Sequence, residues 1–211
     1  TEIYTLSLHD ALPISSMGEL VLAAKVSHVP SLMLSEPADH PLHDVRAGAV
    51  AALCELGRRA RDRRVSSFVV FDTHWLSNFG YHINANAWHR GSFTSHEAPQ
   101  MIKDLGYDLP ENTSLAEAIA REAASDGLNV MAHQIESLGL EYGTIVPMHY
   151  LNPEGWAKVV SVASPLFTSI EESRLLGEAT RRAIARSGER VALLASGSLS
   201  HRLLPNKKLG A

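Results

Sequence analysis

The chain is poor in cysteine, in net charge and in long apolar runs, and each shortage excludes something. Cys54 is the sole cysteine in 211 residues, so neither an internal disulfide nor a cysteine-rich metal site can form. A lone thiol suits a reducing, cytoplasmic setting. Nineteen basic residues stand against 23 acidic ones, a net charge of −4. That balance offers no attractive field to nucleic acid or an anionic membrane. No apolar run approaches the ~20 residues that a bilayer-spanning helix requires. The motif "HExxH" is missing, and no two histidines stand four apart on a helix, so the helix-borne zinc signature is absent. What remains is ordinary for a globular protein: 45% apolar and 20% charged residues, enough chain for one α/β domain with a sizeable core.

The two ends differ from the middle. The first sixteen residues, "TEIYTLSLHDALPISS", contain Glu2 and Asp10 but no Lys or Arg, unlike the basic start of a secretory signal. The string resembles translated sequencing-adapter read-through. Residues 1–16 are therefore expected to be extraneous to the fold, with Met17 the true start and 17–211 a single domain. At the other end, "SHRLLPNKKLGA" stops soon after a site-like loop with no closing helix, and the domain is expected to be incomplete there.

Between the ends, apolar strands alternate with amphipathic helices. "GELVLAAKVSH", "VSSFVVFD", "AKVVSVAS" and "RVALLASGS" read as buried strands, and "YHINAN" as a strand with one wet face. Shorter strands are expected near "NVMAH" and "GTIVPMHYL", where Gly143 and Pro147 suggest a tight strand entry. Helices are predicted from Asp44, a plausible N-cap, to Arg63; from Thr113 or Ser114 to a stop at Gly127; and over "IEESRLLGEATRRAIARSG". The region "SNFGYHINANAWHRGSFTSHEAPQ" is long, polar and aromatic, a composition suited to a flap over a pocket. This order predicts a three-layer α/β fold, a mostly parallel or mixed central sheet with helices on both faces.

Three histidines follow strands: His28 after "VLAAKVS", His74 after "FVVFDT" and His201 after "VALLASGSLS". In open α/β sheets ligands sit outside the carboxyl ends of the strands. Strands lie ~4.8 Å apart, and two imidazoles sharing a metal at ~2.1 Å need nitrogens only about 3 Å apart. Convergence on one ion is thus feasible, while a histidine after a strand is more usually a hydrogen-bonded loop residue. Asp72 could orient an imidazole N–H or bond loop amides. His82, His89, His96 and His149 read as ordinary polar residues.

Four segments in order, "KVSHVPSLMLSE", "VVFDTHWL", "LEYGTIVPMHYL" and "ASGSLSHR", resemble the class III extradiol ring-cleavage dioxygenases, the superfamily of protocatechuate 4,5-dioxygenase catalytic subunits. The nearest branch is that of 3,4-dihydroxyphenylacetate 2,3-dioxygenase, and the likeness runs from Met17 to Arg202. The resemblance implies iron(II) held by two histidines and a carboxylate, with His28 and His74 as the imidazole ligands and His201 as the acid/base histidine. It implies a small catechol and dioxygen as reactants, a 2-hydroxymuconic semialdehyde as product, and a homo-oligomer as the assembly. Tyr142 stands where many relatives have histidine; it could hydrogen-bond substrate or oxygen, or be a structural strand tyrosine. His133 is a candidate polar group near the pocket, and Arg202 a candidate cation for an arylacetate carboxylate.

The family's carboxylate ligand lies further toward the C-terminus than residue 211; Glu97 and Glu141 are available but do not occupy the matching motif. The chain as given is therefore expected to bind iron poorly and be inactive, and the intact protein to be active. Two rival readings use the same residues: a zinc hydrolase on this scaffold, and a non-enzymatic binding or signalling relative with a vestigial site.

Overall fold

In the computed structural model, residues 17–41 and 43–198 are described; His201 and Arg202 lie outside them. Among the described residues strands alternate with helices. They are β1 (Glu19–Val26), α1 (His43–Asp62), β2 (Ser67–Ser77), β3 (Tyr81–Asn84), β4 (Trp88–Phe93), β5 (Leu105–Pro110), α2 (Thr113–Ser125), β6 (Val130–His133), α3 (Tyr142–Leu151), β7 (Lys158–Pro165), α4 (Ile170–Ser187) and β8 (Arg190–Ser196). Six strands form one sheet in the order β1-β8-β2-β7-β3-β6, and β4 pairs with β5 in a separate antiparallel hairpin. Strands β1, β8, β2 and β7 run parallel; β3 meets β7 antiparallel, and β6 follows β3.

The pleat sends alternate residues of β2 to opposite faces. Phe68 and Val70 pack with Leu53 and Ala60 of α1 and with α3, while Val69 packs with Leu115 and Ile119 of α2 and Ala179 of α4. The result is the three-layer α/β arrangement, a mainly parallel sheet between two helical layers. No helix among the described residues is long and apolar enough to cross a membrane.

Local signals account for the helix ends. Ser169 caps α4 in a reciprocal pairing with Glu172, and Gly188 closes it with φ +70. Gly127, at φ +83, follows α2. The N-cap of α2 is Asn112, whose side chain accepts the Leu115 amide, one residue before the expected Thr113. Asp44 sits inside the first turn of α1 rather than capping it, where its charge still suits the helix dipole.

Two expectations fail. "GTIVPMHYL" is not a strand but most of α3. Nine of the ten residues of α3 are buried, so it has no polar face to reveal a helical period, and its β-branched run mimics a strand. Nor is β1 the largely buried strand that "GELVLAAKVSH" suggested: it lies at the sheet edge, and Val26 is its one buried residue. The long polar region contains β3, as "YHINAN" predicted, and β4, which the sequence reading did not foresee.

The hairpin is anchored by a buried polar pair, His89 Nε2 with Glu111 Oε2, both side chains essentially without solvent. Burial pushes the Glu111 carboxyl well above 4.5 and pulls His89 down to about 4. The pair therefore stands as a neutral acid donating to a neutral imidazole. Between pH 4.5 and 6.5 an unfolded chain holds the same number of protons, as ionised carboxylate and imidazolium. Above 6.5 the unfolded chain has lost one that the fold retains, so stability falls as pH rises. From 4.5 down to about 4, where the folded His89 takes up its own proton, the unfolded chain holds one more, so stability falls as pH drops through that narrow window. Urea unfolding should show a plateau between these limits and an alkaline decline of up to about 1.4 kcal/mol per pH unit. Glu111→Gln should abolish the alkaline decline.

Candidate active site

His74 is delivered by an interruption in β2. The β2–β7 ladder stays in register to Asp72↔Ala163 and resumes at Leu76↔Ser164, so Thr73, His74 and Trp75 bulge from it. Pairing with β8 stops at the same level, Asp72↔Ser196. The strand thus continues past His74 to Ser77, instead of ending at Asp72 as the sequence suggested.

Asp72 shapes this bulge. Its Oδ1 accepts the amides of His74 (2.7 Å) and Trp75 (3.0 Å), and its Oδ2 accepts the Thr144 hydroxyl (2.7 Å). Of the two roles open to Asp72, bonding loop amides is the one found. The side chain is fully buried, and burial pushes its carboxyl pKa up against the pull of these donors.

The first turn of α3 abuts this carboxylate. A Cβ on Gly143 would lie 1.9 Å from Asp72 Oδ1, so only glycine permits the approach. Glu141, at the N-cap, and Tyr142, the first helical residue, are thereby set against His74. Glu141 Oε2 lies 3.1 Å from His74 Nδ1. The Tyr142 ring centroid is 3.7 Å from that of His74 and 5.4 Å from that of His28. Tyr142 is therefore a helix residue in the site, not a strand tyrosine.

His28 arrives from the other side, two residues beyond β1. Its Nδ1 is 2.9 Å from Ser196 Oγ at the end of β8, the strand lying between β1 and β2. The two imidazoles stand 6.1 Å apart, centroid to centroid, and nearly perpendicular at 84°. From the β4–β5 connection, Glu97 Oε2 reaches to 3.6 Å from His74 Nε2 and accepts the Tyr142 hydroxyl at 3.4 Å.

The charges bias each group. Partial burial pulls the His74 pKa down, but the Glu141 hydrogen bond, with the charges of Glu141, Glu97 and Asp72, outweighs it and raises the net value. Burial, reinforced by Glu97, pushes the Tyr142 hydroxyl up to about 12. Tyr142 is thus a phenol at neutral pH, a donor and not a base.

Metal chemistry fits this donor set in part. Two imidazoles at adjacent positions around one ion, bound at ~2.1 Å, place their ring centroids roughly 5 Å apart; His28 and His74, at 6.1 Å, are neighbours that would have to close by about 1 Å to share one. Among the described residues, no three His, Cys, Asp or Glu side chains are grouped to hold an ion. The described part supplies two neighbouring imidazoles with acidic side chains beside His74.

Of the residues singled out from the sequence, His28, His74 and Tyr142 come together. His133 does not join them. It ends β6 at the opposite edge of the sheet, with its Nε2 2.6 Å from His82 Nδ1. A cavity of about 400 Å³ between the β4–β5 hairpin and α3, lined in part by Arg90, Tyr107, Met148 and His149, contains none of these candidates. The sequence reading missed Ser196, Thr144 and the role of Glu141. The adjacency of Glu141 and Tyr142 was the one available signal for the last.

Fold and site together define an α/β protein whose clustered polar groups stand at the carboxyl ends of neighbouring parallel strands. Residues 22–211 match the model of a family described as the catalytic LigB subunit of aromatic ring-opening dioxygenase. The chain belongs to that family. It is 44% identical over 196 residues to 3,4-dihydroxyphenylacetate 2,3-dioxygenase of Escherichia coli, covering 91% of this chain and 70% of that protein. It is 29% identical to the 2-aminophenol 1,6-dioxygenase beta subunit of a Pseudomonas species, over 87% of this chain and 63% of that one. A 2,3-dihydroxyphenylpropionate/2,3-dihydroxicinnamic acid 1,2-dioxygenase of Paraburkholderia xenovorans is 30% identical, over 86% and 56%. The chain thus spans between 56% and 70% of the length of these three relatives. The crystal structure of the uncharacterized protein JW3007 from Escherichia coli K12 shares the fold, with a TM-score of 0.53 at 19% identity over 74% of this chain and 55% of that one.

Two measurements check this geometry. Glu141→Ala should lower the His74 imidazole pKa, read from its C2–H resonance; an unchanged midpoint would contradict the Glu141 contact. Gly143→Ala should destabilise the fold by about 1–3 kcal/mol in urea unfolding, because the new methyl overlaps Asp72.

Proposed function

We propose that the protein is an iron(II)-dependent extradiol dioxygenase that opens a catechol ring with dioxygen. The cleaved bond lies beside the two hydroxyls, and 3,4-dihydroxyphenylacetate or a close analogue yields a 2-hydroxymuconic semialdehyde. The observation that carries this reading is the meeting of His28 and His74 against Tyr142 at neighbouring strand ends. When bound, iron(II) would supply open coordination positions for catecholate and dioxygen and a path for electrons between them.

His28 and His74 are the residues that would hold it. Glu141 accepts the Nδ1–H of His74, which leaves Nε2 as that ring's donor atom. Tyr142 keeps its proton and can donate a hydrogen bond to a substrate oxygen in place of Glu97. His201 would take a catechol proton and later return it, a task suited to an imidazole, which when unperturbed titrates near ~6.5. Arg202 beside it would face the arylacetate carboxylate. The relative that acts on 3,4-dihydroxyphenylacetate supports that substrate. The relative named as a beta subunit supports assembly with further subunits.

The test is aerobic assay after anaerobic loading with iron(II), using 3,4-dihydroxyphenylacetate and other catechols. It is to be run on the 211-residue chain and on a form extended to the length of its relatives. The expected outcome is a yellow ring-opened product from the extended form, lost in His28→Ala and His74→Ala. No colour with any catechol, together with ester or amide cleavage under zinc, would replace this reading with a hydrolase.

A further inference from the structure

A metal-binding imidazole must present the right nitrogen, and the two histidines of this site are oriented by different partners. For His74 the partner is the carboxylate of Glu141, which when ionised can only accept. For His28 it is the hydroxyl of Ser196, which can donate or accept. A serine by itself leaves the tautomer of His28 undecided: it could accept from Nδ1–H, or donate to a bare Nδ1 and force the proton onto Nε2.

The choice is made elsewhere in the chain. Pro147 lies inside α3 and has no amide hydrogen. The carbonyl that its N–H would have bonded in a regular helix is four residues earlier, on Gly143. That carbonyl is instead 2.5 Å from Ser196 Oγ, in a fully buried setting. A carbonyl oxygen can only accept, so the single hydroxyl proton of Ser196 goes to Gly143. The remaining lone pairs of Ser196 face His28 Nδ1 at 2.9 Å, and His28 must donate to them.

We infer that Ser196 is a positioning residue that holds His28 with its proton on Nδ1 and Nε2 as the donor atom, and that Pro147 compels this by leaving the Gly143 carbonyl to Ser196. The relay crosses three elements, from the interior of α3 through the end of β8 to the loop after β1. It gives both imidazoles the same tautomer by different chemistry. That the donor atom serves a metal rests on the dioxygenase reading; the tautomer assignment does not.

The experiment is long-range 15N–1H spectroscopy of the histidine rings in the metal-free 211-residue chain. His28 is expected with its proton on Nδ1. Ser196→Ala should shift it toward the Nε2–H form, and Ser196→Thr, which keeps the hydroxyl, should restore Nδ1–H. An Nε2–H form in the unaltered chain, or an unchanged tautomer in a folded Ser196→Ala variant, overturns the inference. Should Ser196→Ala fail to fold, Pro147→Ala decides. Its new amide competes for the Gly143 carbonyl and frees the Ser196 proton for His28, so a shift toward Nε2–H supports the relay and no shift overturns it. A parallel iron(II) titration of the form extended to the length of its relatives should show about 10–100-fold weaker binding in Ser196→Ala. If the extended form without substitution binds no iron, the dioxygenase reading fails while the tautomer result still stands or falls by the spectra.

Discussion

The site depends on a buried carboxylate. Asp72 has no access to water, and a charge in that position is costly unless its lone pairs are taken. The donors that take them come from two places, the amides of the β2 bulge and the Thr144 hydroxyl in the first turn of α3. Satisfying Asp72 therefore sets the shape of the bulge and the seat of the helix together. Thr144 also meets Ser161 of β7 at 2.9 Å, which ties the arrangement into the sheet. Gly143 follows from the same constraint, since any larger residue would collide with the carboxylate.

Sheet order supplies the second half of the geometry. β8, the last strand among the described residues, inserts between β1 and β2, and all three run in one direction. Their carboxyl ends open on the same side, where residues distant in sequence can face one another. β1 and β2 are two strand spacings apart, about 9–10 Å, a gap that the side chains of His28, Tyr142 and His74 close. β3 and β6 lie at the far edge and run the opposite way, so His133 meets His82 there and not this group.

Much of this was legible in advance. The buried strands β2, β7 and β8 announce themselves as apolar runs, and α1, α2 and α4 as amphipathic periods, because each of these helices buries one face only; β1 reads like the buried strands but lies at the sheet edge, with Val26 its one buried residue. α3 was illegible for the converse reason: it is enclosed on all sides, and Thr144, Ile145, Val146 and Pro147 carry strand-like signals. The β4–β5 hairpin was hidden by its mixture of polar and aromatic residues, and its buried His89–Glu111 pair by the fact that neither residue signals the other.

At the site the same division holds. The sequence alone determined the three-layer architecture, the placing of His28 and His74 just beyond apolar runs, and the family likeness carried by four ordered motifs. Tertiary structure decided what those residues meet. Glu141 beside His74, Ser196 between His28 and the Gly143 carbonyl, and Asp72 beneath the helix are contacts between segments far apart in the chain. Periodicity and composition report each segment's own surroundings, whereas these contacts arise only when the strand order, the bulge and the entry of α3 are set together.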